Sequence, residues 1–169
     1  IVKSHPCIQF ETSRGCPFNC VYCLKATHGR RWIGRSPQNI IGEIKQYVSR
    51  WGRRAFYIVD DLFTCNERRV IEFCHSLEES NLDVQWRCLA RADMVSPDMI
   101  KAMVGSGCRL VDLGIESCDD EVLKTIKKGY TYQDVVSALT WAKNAGLKVK
   151  AHMMLALPGD TAETTFRTV

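Results

Sequence analysis

The sequence predicts an α/β fold in which βα units build a parallel sheet, closed or partly closed as a barrel. Three observations lead there. Short strand-like runs at 7–12, 55–60, 84–89, 109–115 and 147–155 alternate with segments whose apolar residues recur at the helical period, and such alternation means right-handed βα units. The helical segments carry their own start and stop residues. The chemically unusual sequences follow strands rather than helices, which is where parallel βα architectures bind ligands.

The first run leads into Arg14-Gly15-Cys16. Ser36-Pro37 then supplies an N-cap with proline at the first helical position, and Ile40, Ile41, Ile44, Tyr47, Val48 and Trp51 share one face until Gly52. The second run ends at Asp60-Asp61, and Asn66 opens a helix with Val70, Ile71, Cys74 and Leu77 inward. The third leads to Arg91 and Asp93. Ser96-Pro97-Asp98 opens the next helix, with Met99, Ile100, Met103 and Val104 inward and a stop at Gly105 or Gly107. The fourth run ends at Glu116-Ser117. A short helix after Asp119 carries Val122, Leu123 and Ile126 and closes at Lys127-Lys128-Gly129, whose charges suit the helix dipole. Thr131-Tyr132-Gln133-Asp134 reads as a capping box with Asp in the Glu position, before Val135, Val136, Leu139 and Ala142, and Gly146 stops that helix. The fifth run leads to Pro158-Gly159-Asp160, and 161–169 opens one more helix. Ile1 is no initiator and the last helix is short, so the expectation is one domain over 1–169, a fragment truncated at both ends.

Composition narrows the function classes. At 46% hydrophobic and 25% charged, the 169 residues have a globular composition, and a chain this size buries roughly 70% of its unfolded surface without disulfide staples. No stretch approaches 18 consecutive apolar residues, so no membrane span is expected. The balance of 23 − 19 = +4, with dispersed basic residues, does not indicate nucleic acid. The group Lys25, Arg30, Arg31 and Arg35 reads as a solvated loop, with Trp32 inside it as a candidate substrate or partner contact. His5, His75 and His152 read as ordinary core or surface histidines. Nine cysteines, an odd count at irregular spacing, argue against a secreted disulfide framework and for a cytoplasmic setting. Six of them, Cys7, Cys65, Cys74, Cys88, Cys108 and Cys118, are expected to pack as small hydrophobes.

The other three do not scatter. Cys16-Pro17-Phe18-Asn19-Cys20-Val21-Tyr22-Cys23 places three thiols on one loop. A free thiol is only a few per cent thiolate at pH 7, and a metal both deprotonates such a group and neutralises its repulsion. Soft thiolates select iron–sulfur clusters or zinc. A structural zinc wants four ligands, and His28 is the residue that would complete a Cys3His module. A four-iron cluster on three cysteines leaves one iron open.

The spacing C-x3-C-x2-C, with an aromatic before the last cysteine, resembles the signature of the radical SAM superfamily. The resemblance continues in order along the chain. Thr12-Ser13-Arg14-Gly15-Cys16-Pro17 is similar to the approach to that family's cluster loop, and Asp60-Asp61-Leu62-Phe63 to the segment after strand two in its cobalamin-associated and methylthiotransferase-like branches. Gly114-Ile115-Glu116-Ser117 with Lys127-Lys128-Gly129 resembles the strand-four region. Met154-Leu155-Ala156-Leu157-Pro158-Gly159-Asp160 resembles the end of strand five, with Ala156 where Gly is more usual and Cys118 where Gly often follows Glu-Ser. The fold it implies is a partial (β/α) barrel of the radical SAM type, with five parallel βα units present and the C-terminal part of the barrel missing.

The resemblance implies that Cys16, Cys20 and Cys23 are the metal ligands of a [4Fe–4S] cluster whose open iron is chelated by S-adenosylmethionine (SAM). It puts Tyr22 beside the adenine, Asp60 and Asp61 near the methionine amino end, and Glu116 and Ser117 at the ribose. Alternative roles are a hydrophobic anchor for Tyr22, loop caps for the two aspartates, and an N-cap arrangement of Glu116 and Ser117 with Asp119. Arg91 is a candidate partner of the SAM carboxylate, or an ion-pair partner of Asp93 or Glu116. The implied reaction is reductive cleavage of SAM to a 5′-deoxyadenosyl radical that abstracts hydrogen, with cobalamin held by a domain outside this stretch. The alternatives are a methylthiotransferase-like enzyme without cobalamin and a non-catalytic Cys3His zinc module. The implied partners are a reducing electron donor of flavodoxin or ferredoxin type and a small-molecule or cofactor-like substrate.

Overall fold

The computed structural model describes residues 7–24 and 28–169. His5 and Lys25, weighed above, lie outside the described residues. The elements in chain order are β1 (Ile8–Phe10), β2 (Ser13–Arg14), β3 (Ile33–Gly34), α1 (Pro37–Trp51), β4 (Ala55–Ile58), α2 (Glu67–Glu79), β5 (Gln85–Arg91), α3 (Pro97–Gly105), β6 (Cys108–Glu116), α4 (Asp120–Thr125), α5 (Tyr132–Asn144), β7 (Lys148–Met153) and α6 (Ala162–Thr168). Five strands form one parallel sheet in the order β1-β4-β5-β6-β7. The sheet stays open, with β1 and β7 at its edges.

The caps expected from the sequence are formed. Ser36 accepts from the Asn39 amide, Asn66 from Arg69, Ser96 from Met99, and Asp119 from Glu121 and Val122. Thr131 and Asp134 complete a reciprocal capping box on α5. Each cap satisfies backbone donors that a helix leaves without partners.

Alternation along the strands divides the sheet into two faces. Phe56 and Ile58, then Trp86 and Cys88, then Val111, Leu113 and Ile115 are buried under the helices. Phe63, Phe73 and Trp86 meet edge to face at centroid distances of 5.5–5.9 Å, which locks α2 onto β5. The opposite face is polar. Arg87 lies 3.7 Å over the Tyr57 ring and 3.8 Å from Asp112, and Asp112 is 3.2 Å from His152.

Several features depart from the sequence reading. The first and second runs end two residues early, at Phe10 and Ile58. β2 and β3 pair as a two-residue antiparallel ribbon, too short to leave a periodic signal. The fifth strand ends at Met153, two residues early. Of the scattered cysteines, Cys74, Cys88 and Cys108 lie in the core as expected, whereas Cys7 is exposed. Burial pushes the Cys74 thiol up to about 12.

The capping box gives a pH-dependent expectation. Backbone and hydroxyl hydrogen bonds from Thr131 hold the Asp134 carboxyl below the usual aspartate range. A lowered folded-state pKa contributes stability above the unfolded value, lost as pH falls through the folded one. Asp134→Ala is expected to cost about 1 kcal/mol at pH 7. The gap to wild type should close below about pH 4, read from urea midpoints across pH.

Candidate functional site

The described residues between β2 and β3, 15–24 and 28–32, carry the three cysteines. The base of this loop is held from several sides. The Thr12 carbonyl accepts from the Arg35 amide at 2.9 Å, and the Gly29 carbonyl from Cys16 at 3.2 Å. Gly15 has φ +82°, and a Cβ there would lie 2.2 Å from the Arg31 carbonyl oxygen, so only glycine lets the two sides of the loop meet. At its far end the Val21 amide donates to the Ile126 carbonyl at 3.0 Å, tying the loop to the end of α4.

Behind the base sits Asp60, only 2% exposed. It accepts from the Thr12 amide and hydroxyl, both at 2.6 Å, and from the Ser13 hydroxyl at 2.5 Å. Arg69 braces the same point, donating to the Thr12 carbonyl at 2.7 Å and to its hydroxyl at 2.8 Å. Asp61 does different work. It accepts from the Gly15 amide at 2.8 Å and pairs with His28 Nδ1 at 2.8 Å, and it borders the cleft.

That cleft, about 420 Å³, opens at the carboxyl ends of the sheet strands. It brings together Cys16, Cys20, Cys23, Tyr22, Arg91 and Glu116 among the candidates read from the sequence. A second hollow of about 250 Å³ lies at the opposite strand ends, around Cys7, Tyr57 and Arg87, away from the cysteine triplet.

Glu116 and Lys128 form the wall across from the cysteines. The Lys128 ammonium is 2.9 Å from Glu116 Oε1 and donates to the Tyr22 hydroxyl at 2.9 Å. Both charged residues are buried, at 4% and 8% exposure, so each needs the other. The backbone is bent to make the pair. Glu116 has φ +69°, a left-handed conformation costly for a non-glycine residue, at a register shift against β7. A Cβ at Gly114 would lie 2.8 Å from Glu116 Oε1, so that glycine makes room for the carboxylate. Burial, then the charges of Glu116 and Cys20, push the Tyr22 phenol well above its ordinary range. It remains a neutral hydroxyl.

Ser117 and Asp60 are not brought to the cleft. Ser117 is 1% exposed, lies 3.3 Å from the Thr168 hydroxyl and accepts from the Asp119 amide at 3.2 Å. That is the N-cap arrangement weighed from the sequence. Arg91 pairs with Asp93, its Nε and Nη2 3.0 and 3.1 Å from the two carboxylate oxygens, and not with Glu116. His28 is turned to Asp61 and Glu11. Among the described residues no group of three His, Cys, Asp or Glu side chains is placed to hold a metal ion.

Sequence reasoning gave Lys128 no site role, placing it as a charge at a helix end and within the Lys127-Lys128-Gly129 stretch of the strand-four resemblance. Its one local signal is the basic pair before Gly129. Asp112 and His152 were missed as cleft residues, because nothing local in a strand tells which face closes over. Asp112 is 1% exposed at the cleft floor. Ala156 has φ +58°, which explains why glycine suits that position. Trp32 donates its indole N–H to the Leu62 carbonyl at 3.1 Å.

Residues 10–169 match the model of the radical SAM superfamily. The chain belongs to that superfamily. It is 35% identical over 159 residues to an uncharacterized methyltransferase of Pyrococcus horikoshii, covering 94% of this chain and 35% of that protein. The fold is shared with TsrM, a radical SAM methyltransferase of Kitasatospora setae solved with cobalamin and a [4Fe–4S] cluster. There the TM-score is 0.85 at 17% identity, over 94% of this chain and 32% of that one. It is shared too with OxsB, a cobalamin-dependent SAM radical enzyme, at TM-score 0.81 and 21% identity, over 87% and 23% of the two chains. The chain thus spans about a third of the curated relative's length. That membership agrees with the radical SAM resemblance and not with the zinc-module reading. No helix among the described residues is long and apolar enough to cross a membrane.

Asp60→Asn turns an amide N–H2 toward donors and leaves buried groups unpaired. It is expected to destabilise the protein by about 2–4 kcal/mol, measured by equilibrium denaturation.

Proposed function

We propose that Cys16, Cys20 and Cys23 hold a [4Fe–4S] cluster with one open iron, and that SAM binds on it in the adjoining cleft. The observation that supports this is the placement of three thiols on one pinned loop, at the mouth of the cleft and facing a paired carboxylate and ammonium. The donor set is soft, three thiols within eight residues of one loop. When bound, the cluster supplies one electron to the SAM sulfonium, giving methionine and the 5′-deoxyadenosyl radical that takes a hydrogen atom from substrate.

The chain's own residues do the positioning. Glu116, held at Oε1 by Lys128, offers its carboxylate to the ribose hydroxyls. Tyr22 offers its ring to the adenine. Asp61, at the rim, suits the methionine ammonium. Asp60 and Ser117, assigned to SAM by the resemblance, serve instead to fix the loops that carry Asp61 and Glu116. The apolar rim at Leu62, Leu89 and Met153 helps exclude water.

In the whole protein this core acts in a cobalamin-dependent methylation or a related C–H functionalisation. The support is the likeness to an uncharacterized methyltransferase and to two cobalamin-associated folds. Its electron comes from a flavodoxin- or ferredoxin-type donor, and its substrate is a small molecule.

The test is anaerobic reconstitution of the full-length protein with iron and sulfide, followed by low-temperature EPR of the reduced form. A [4Fe–4S]⁺ signal whose g-values move on adding SAM supports the reading, and Cys20→Ala should abolish it. Stoichiometric zinc with no cluster overturns it. Lys128→Met, which frees Glu116 to turn away, should retain the cluster and weaken SAM binding about tenfold, or ~1.4 kcal/mol, by calorimetry on the loaded protein.

A further inference from the structure

We propose that Arg91 is a positioning and tuning residue for the cluster, raising its reduction potential through a hydrogen bond to the Cys20 sulfur, and that it does not bind the SAM carboxylate. This rests on the reading that the three cysteines hold a cluster.

The assignment follows from counting donors. A guanidinium has five N–H groups. Nε and one Nη2 hydrogen go to the Asp93 carboxylate at 3.0 and 3.1 Å. The other Nη2 hydrogen goes to the Lys128 carbonyl. Nη1 donates to Cys20 Sγ at 3.6 Å, a hydrogen-bond distance for sulfur. One Nη1 hydrogen is left, so the fork that would grip a carboxylate in two places is already used. The side chain cannot easily turn to free it. Arg91 is 6% exposed and lies 3.5 Å over the Phe18 ring, a residue of the same cysteine loop. The ring face adds a second attraction for the cation.

The electrostatics then have a direction. Reduction brings one electron from the low-potential donor and adds one negative charge at the site, with no proton required. A fixed cation on a ligand sulfur stabilises that added charge more than the oxidised state, and hydrogen bonds to the sulfurs are known levers on cluster potential. Asp93 partly offsets the charge, but it sits on the Nε–Nη2 edge while Nη1 faces the sulfur. The pair therefore presents its positive end to Cys20. Burial opposes the guanidinium charge, and the hydrogen bond and charge of Asp93 together with the neighbouring Cys20 and Tyr130 outweigh it.

The experiment is a potentiometric titration of the full-length, cluster-loaded protein without SAM, followed by EPR. Arg91→Met keeps the contact with Phe18 and removes the charge. It should lower the equilibrium constant for one-electron reduction about tenfold, ~59 mV more negative, and Arg91→Lys should recover part of the loss. Asp93→Asn removes the counter-charge and should move the potential the other way, which keeps the inference testable if Arg91→Met does not fold. A purely structural Arg91 would change cluster occupancy or thermal stability and leave the potential of loaded protein unmoved. That result overturns the inference, as does a fall in SAM affinity at unchanged potential. A wild-type protein that holds no cluster fails the underlying reading instead, and is recognised before any variant is made.

Discussion

Where the cysteine loop sits is decided by one buried carboxylate, Asp60, at the end of β4, which gathers three donors from Thr12 and Ser13 and thereby sets the point at which the chain leaves the sheet. The geometry beyond depends on it. Arg69 reaches the same threonine from α2, so the loop's base is joined to two elements distant in sequence. The small β2–β3 ribbon and the glycine at position 15 then close the base. The network fixes the base through several buried hydrogen bonds, with Arg69 Nη1 left without a partner among the described residues.

The two ion pairs of the cleft work as a matched set. Lys128 gives its ammonium to Glu116 and Tyr22, while its backbone carbonyl accepts from Arg91. One residue just past α4 thus joins one wall of the cleft to the guanidinium beside Cys20. The left-handed backbone at Glu116 and the missing side chain at Gly114 are the local concessions that allow it. The helices on the other face pack through an aromatic and aliphatic core.

Much of the scaffold was legible because its causes are local. Ser36, Asn66, Ser96, Asp119 and Thr131 cap helices where they were expected to, since a cap needs only its own next three residues. The cysteine triplet was legible for the same reason, with all three thiols inside eight residues. Asp60 and Asp61 were read as a pair, yet adjacent strand-end residues point in different directions, and one became a brace while the other reached the rim.

The amino-acid sequence by itself determined the βα order, the helix boundaries and the loop that carries the thiols, because periodicity, caps and spacing act over short range. The tertiary structure alone decided what faces that loop. Lys128 meets Tyr22 across 106 positions, and Arg91 meets Cys20 across 71. Such contacts arise only when parallel strands bring their carboxyl ends to one edge, and no local pattern in either segment encodes its partner.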